Sequence, residues 1–357
     1  MAMSRPATMI SQKLGIIYPI IQAPMAGIST PQLAASVSNA GGLGMLGLGS
    51  SNVDKARKMI LETKELTQKP FGVNVFCNNP PVRDPIREEQ WLKHLSPLFE
   101  ALGTKGPDRV KEPYKSFLQN PNMLETLLES RPDVVTFHFG VPSVEAVKRL
   151  REIGIYTMAT ATNLQEALTI QNLGIDAVVA QGLEAGGHRG MFDPNAKDEQ
   201  WSTMVLVKIL SQRLKIPIIA AGGIMDGHMA KAMIDVGASA VQLGTAYLLC
   251  PESAADKGYR EDLKSSRSQS TQLTSAISGR PARGIDNDFI RYCNTFETPS
   301  SADYPLAYDA FKQLHAAEPN GQYKYAAHWA GQGAPLAREL GAGDLTVLVA
   351  KEMGMSN

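Results

Sequence analysis

Short apolar runs alternate along this chain with longer segments in which apolar residues recur at helical spacing. Residues 16–23 (IIYPIIQA), 43–48, 71–76 (FGVNVF), 134–137, 156–159, 177–180, 216–221 (IPIIAA) and 240–243 (AVQL) read as eight strands. Helical patterns follow over 33–40, 53–66, 143–152, 163–173, 203–214 and 228–236, several of them entered through a Ser, Thr or Asn cap. Strands that alternate with helices predict parallel pairing through right-handed crossovers. Eight units favour an α/β fold of the closed (β/α)8 TIM-barrel kind over an open doubly wound sheet. The open sheet would want a GxGxxG turn after strand one, where this chain has Ala23-Pro24-Met25-Ala26-Gly27.

Two segments leave the rhythm. Residues 77–130 form a Pro-punctuated, charged insertion with helical stretches at 88–101 and 113–118. Residues 251–330 predict a second lobe over the barrel mouth: a polar helix at 252–267, an extended or turning stretch at 271–291, a helix at 304–317 and an aromatic segment at 323–329. The barrel is then expected from 1–250 plus 331–357, with 331–351 supplying the helix that closes it.

Composition narrows the partners. Among 357 residues, Lys plus Arg equals Asp plus Glu at 35 each, with no block of like charge, so neither nucleic acid nor a membrane surface is expected as a partner. Cys77, Cys250 and Cys293 are widely spaced and odd in number, which argues against a disulfide framework or a cysteine metal site. No run of about 18 apolar residues and no secretory leader is evident. A cytoplasmic protein acting on a small molecule is expected, with a homodimer left open.

Candidate chemistry concentrates where strands end. Residues 174–193 (GIDAVVAQGLEAGGHRGMFD) pass from an apolar strand into Gln181 and then into glycines that surround His188, which places that histidine in a loop. Strand seven ends in Ala221-Gly222-Gly223 and strand eight in Gln242-Leu243-Gly244-Thr245. Backbone N–H groups there, with the Thr245 hydroxyl, can converge on a phosphate at the position this barrel uses for one. Asn74, Gln181 and Gln242 emerge from apolar strands, and Pro24-Met25 opens a flat turn after strand one. Such a ring of amides suits the heteroatom edge of an isoalloxazine and points to FMN; mutual satisfaction of core amides is the alternative for Asn74 and Gln242.

The segments APMAGIST (23–30), FGVNVF (71–76), QGLEAGGHRG (181–190), AAGGI (220–224), VQLGTAYL (241–248) and SGRPARG (278–284) together resemble the nitronate monooxygenase family, formerly called 2-nitropropane dioxygenase. Its members are FMN-dependent TIM-barrel enzymes. The resemblance implies FMN binding at Asn74, Gln181, Gly186, Gly223, Gln242, Gly244 and Thr245, with Met25 lining the flavin and His188 as the active-site histidine. Tyr304, Tyr308 and Lys312, spaced i, i+4, resemble the substrate-pocket helix of class I members, and Tyr114 their remaining pocket tyrosine. By resemblance, an alkyl nitronate such as propionate 3-nitronate gives one electron to FMN, and the semiquinone passes it to O2. The products are an aldehyde or ketone and nitrite. An FMN-dependent NAD(P)H reductase of the enoyl-thioester or quinone type on the same barrel is the nearest alternative. A non-catalytic flavin-binding module fits an enclosed mouth less well.

Overall fold

The period of two in the apolar runs decides which residues reach the interior. In the computed structural model, which describes residues 9–319 and 322–355, the strands are β1 (Ile20–Gln22), β2 (Gly44–Gly47), β3 (Phe71–Phe76), β4 (Val134–His138), β5 (Tyr156–Ala161), β6 (Ala177–Gln181), β7 (Gly187–His188), β8 (Ile218–Ala221), β9 (Ala240–Leu243), β10 (Thr271–Thr274) and β11 (Ala282–Ile285). Eight of them pair in parallel in the order β1-β9-β8-β6-β5-β4-β3-β2. A parallel bridge between Ile21 and Leu43 brings β1 back to β2 and closes the TIM barrel.

Alternation along each strand sorts the side chains. Val73, Val75, Val135, Phe137, Val178, Ala180 and Val241 pack outward in one apolar cluster with the surrounding helices. Ile21, Met45, Val134, Met158, Val179, Ile219 and Ala240 fill the lumen, together with Ile10 and Leu14 of the helix Met9–Leu14, which plugs the lower end. The same inward phase, carried to the upper end of the strands, presents Asn74, Thr136, His138, Thr160, Gln181, Ala221 and Gln242 to the mouth.

The crossover helices start where capping chemistry allows. Thr30 accepts from the Leu33 amide to open Pro31–Asn39, Asn52 caps Val53–Leu66, and Asp226 caps Gly227–Val236. Helix Ala342–Glu352 packs against Pro31–Asn39 and Gly227–Val236 and completes the outer ring.

Above the mouth lies a second apolar cluster. Trp91, Leu95 and Phe99 of helix Pro85–Ala101, inside the insertion, pack with Phe289, Leu306, Phe311 and Leu314 from the segment after the barrel. A three-stranded antiparallel sheet, β10-β11-β7, joins this region to the His188 loop. Among the described residues no helix is long and apolar enough to cross a membrane.

Several boundaries differ from expectation. The first strand is only Ile20–Gln22, because Tyr18-Pro19 breaks the apolar run before it. The helix expected over 113–118 reduces to a 3-10 turn, Phe117–Gln119, and the chain through Pro113-Tyr114 stays open. The helix expected over 252–267 runs from Lys257 to Lys264, where Asp256 caps it. Residues 288–291, expected as extended or turning, belong to helix Asp288–Cys293, started by Asn287 accepting from Ile290.

The expected helix over 304–317 spans Leu306–Ala316. Tyr304 precedes Pro305, a position that disfavours helical backbone, so it stands outside the helix that carries Tyr308 and Lys312. The three residues do not form one i, i+4 stripe.

Candidate active site

The loops after β8 and β9 form one end of a cavity of about 370 Å³, a size suited to a small ligand or cofactor. Gly222 and Gly223 have φ of +124° and +70°, conformations that a side chain would strain. Gly223, Gln242, Gly244 and Thr245 all line this end, with Gly331 and Gly333 from the chain's return beneath the mouth. Gly331 donates its amide to the Thr245 hydroxyl at 3.0 Å. A Cβ on Gly186 would lie 2.4 Å from that same Gly331 nitrogen, so these two backbones meet with no room for a side chain.

Met25 lines the cavity from the turn after β1. Its amide donates to Ser29 Oγ at 2.9 Å, and Gln22 Nε2 donates to the same oxygen at 2.9 Å, which fixes the turn. Asn74 gives its amide to Thr136 Oγ1 at 2.8 Å rather than to another core amide, and Asn74 and Gln242 both face the cavity.

Gln181 stitches the His188 loop to the barrel. Its Nε2 donates to the His188 carbonyl at 2.9 Å, and its Oε1 accepts from the Gly190 amide at 2.7 Å. Arg189, 1% exposed, forms a bidentate pair with Asp198 and donates to the carbonyls of Gln181 and Gly182 at 3.0 and 3.1 Å. The loop thus has side chains from two sides holding its main chain.

His188 projects between aromatic rings. Its centroid lies 5.6 Å from Phe139, 5.6 Å from Tyr304 and 5.3 Å from Trp329. Nε2 is 2.8 Å from Ser278 Oγ. Burial, then the neighbouring His138 and Arg280, push its pKa down to about 3, so the ring is neutral near pH 7. His138, 3.3 Å from the His188 carbonyl through Nε2 and 3.0 Å from Thr160 through Nδ1, is pushed by burial to about 4. Phe139 holds a left-handed φ of +71°, with the Arg280 guanidinium 4.5 Å above its ring.

The far wall carries phenols and an ammonium. Tyr114 and Tyr304 meet hydroxyl to hydroxyl at 2.9 Å. Burial raises the pKa of both and of Tyr308, so all three stay protonated donors near pH 7. Lys312 Nζ lies 4.5 Å from the Tyr308 centroid and 5.6 Å from that of Tyr114; loss of hydration lowers its pKa below the ordinary lysine value. Every residue expected at the site lines this one cavity except Tyr304, which reaches it through His188 and Tyr114.

The sequence model for nitronate monooxygenase matches residues 7–351 of the chain. The chain belongs to the nitronate monooxygenase family. It is 50% identical to the nitronate monooxygenase of Paraburkholderia phytofirmans over 344 residues, covering 96% of this chain and 94% of that protein. Identity to the Pseudomonas aeruginosa nitronate monooxygenase is also 50%, over 95% of this chain and 97% of the relative. Among solved structures, a nitroalkane oxidase from Streptomyces ansochromogenes superposes with a TM-score of 0.88 at 38% identity, covering 96% of this chain and 97% of that one. As a nitronate monooxygenase family member, the chain is an oxidoreductase.

Within this nitronate monooxygenase fold, sequence reasoning passed over His138, Phe139, Trp329, Gly331 and Gly333, all of which line the cavity. His138 and Phe139 had a readable signal, since β4 ends in Phe137-His138 and the chain runs on through Phe139 to Gly140. Gly331 and Gly333 form a Gly-Gln-Gly turn that glycine content alone could have flagged. Trp329 had none beyond its aromatic neighbourhood.

Proposed function

We propose that the cavity holds FMN and oxidises small alkyl nitronates with O2. The observation that carries this reading is one continuous cavity with bare glycine backbone at one end and His188 among phenols and an ammonium at the other. The glycine end fits a phosphorylated tail: Gly223 and Gly244 line it with bare backbone, and Thr245 adds a hydroxyl. Asn74, Gln181 and Gln242 would face the ring edge, with Met25 against it and Gly186 admitting close backbone approach.

When bound, FMN supplies the one-electron chemistry that oxidises a nitronate and reduces O2, the oxidised substrate then breaking down to a carbonyl compound and nitrite. The chain's own residues bind and orient. Neutral His188 meets the nitro group through a ring nitrogen, and the phenols of Tyr114, Tyr304 and Tyr308 keep their protons as donors. Lys312 at the same wall suits a carboxylated substrate such as propionate 3-nitronate, and the aromatic rings exclude water.

The test is a visible spectrum of the purified protein, followed anaerobically with propionate 3-nitronate and separately with NADH. A flavin spectrum that changes with the nitronate and ignores NADH supports the proposal. Reduction by NADH without response to nitronate moves the chain to the reductase reading, and absence of any flavin overturns the cofactor assignment. If neutral nitroalkanes are accepted, His188→Asn abolishes their turnover while keeping the flavin; undiminished activity removes His188 from the chemistry.

A further inference from the structure

Ser278, fully buried and outside the cavity lining, contacts the histidine from behind. Its Oγ lies 2.8 Å from His188 Nε2, 3.2 Å from the Arg280 carbonyl and 3.3 Å from the Arg280 amide. A backbone amide can only donate, so one Ser278 lone pair belongs to Arg280 N. The single hydroxyl proton has two competing acceptors, Nε2 and the Arg280 carbonyl. If it goes to the carbonyl, neutral His188 must carry its proton on Nε2. If it goes to Nε2, the proton sits on Nδ1.

The shorter contact is the one to Nε2. Among the described residues no group hydrogen-bonds Nδ1, yet that atom is not sealed away as His328 Nε2 is, and His188 lines the cavity. The Gln181 and His138 contacts go to the His188 carbonyl and leave Ser278 as the ring's hydrogen-bond partner among the described residues.

We propose that Ser278 is a positioning residue that donates to His188 Nε2 and so fixes the neutral tautomer with its proton on Nδ1, presented to the cavity. This rests on the nitronate reading above, because an N–H donor matches an anion and is the wrong state for a base. Proton removal from a neutral nitroalkane would need the opposite arrangement, with Nε2–H donating to Ser278 and the serine hydroxyl turned to the Arg280 carbonyl. No proton is gained or lost by the site in that exchange; the ring and the hydroxyl redistribute two. Ser278 therefore biases the site toward nitronates over their neutral conjugate acids.

The experiment is ¹⁵N-histidine NMR of the flavin-loaded enzyme without substrate, with His188→Asn assigning the signal. The wild type is expected to show His188 protonated on Nδ1 and bare on Nε2. In Ser278→Ala the bias is lost and Nε2 takes up a share of the proton. The nitronate KM rises about tenfold with little change in kcat, as for loss of one hydrogen bond to an anion. Ser278→Thr, which keeps the hydroxyl, retains the wild-type tautomer and KM. A wild-type ring protonated on Nε2 overturns the proposal whatever the variants do, as does an unchanged tautomer in a folded, flavin-loaded Ser278→Ala. Absence of nitronate turnover in the wild type would instead defeat the substrate reading and leave the tautomer result standing.

Discussion

Tyr114 and Tyr304 share a hydroxyl–hydroxyl hydrogen bond of 2.9 Å across 190 residues of sequence, one from the insertion and one from the segment after the barrel. Tyr304 is buried and Tyr114 half-buried, and this bond is the only hydrogen bond of either hydroxyl among the described residues. Tyr304→Phe and Tyr114→Phe should each raise the nitronate KM, and the double variant should cost less than the sum. A coupling energy of about 1 kcal/mol is expected from kcat/KM in a double-mutant cycle. Strict additivity would mean that the two phenols act separately.

Arg189 donates from all three guanidinium nitrogens to acceptors inside the protein. Replacing it with methionine keeps the apolar stem but leaves Asp198 and the carbonyls of Gln181 and Gly182 without their donor. A loss of about 3 kcal/mol in unfolding free energy, read from urea melts, is expected for breaking a pair of this burial. Activity should fall further than stability, since the next residue toward the N-terminus is His188.

Gly186→Ala places a methyl group 2.4 Å from the Gly331 nitrogen, a distance at which one backbone must move. The displaced Gly331 amide would leave Thr245 Oγ1. Flavin titration of the apoprotein should show at least about a tenfold weaker Kd, while the far-UV circular dichroism stays that of the wild type.

Acid should destabilise the fold through His188 and His138. His188 and His138 titrate near 3 and 4 when folded, against an ordinary value of 6.5. Below pH 6.5 the unfolded chain binds protons that the folded chain refuses, so stability falls as pH falls from 6.5 toward 4. Each histidine contributes a slope of up to about 1.4 kcal/mol per pH unit. His315, raised by its hydrogen bond to Glu318, has the opposite sign, and its contribution is already complete below 6.5. Urea midpoints at several pH values check this, and His188→Asn should flatten the slope in that window.

The barrel is legible in the chain because strand and helix periods are local signals. All eight barrel strands lie where short apolar runs place them, and the mouth-facing Asn74, Gln181 and Gln242 stand on the phase that points inward. What local pattern could not supply is pairing at long range. The i, i+4 spacing of Tyr304, Tyr308 and Lys312 suggests one helical stripe, yet Pro305 excludes Tyr304 from the helix and tertiary packing brings it to His188. Helix Pro85–Ala101 carries no mark in its own sequence that its apolar face will meet Phe289 and Phe311 some 200 residues later. The backs of site residues are equally silent: Ser278 in SGRPARG reads as a turn until His188 is seen against it.

The antiparallel register of Ala282 with His188 and Arg283 with Gly187 makes the histidine an edge-strand residue of the upper sheet as well as a loop residue of the barrel. The upper region is therefore not an interchangeable cover. A chimera that grafts another relative's upper region onto this barrel would also rewrite the strand on which the histidine hangs. The boundary for recombining these proteins runs through the chemistry and not beside it.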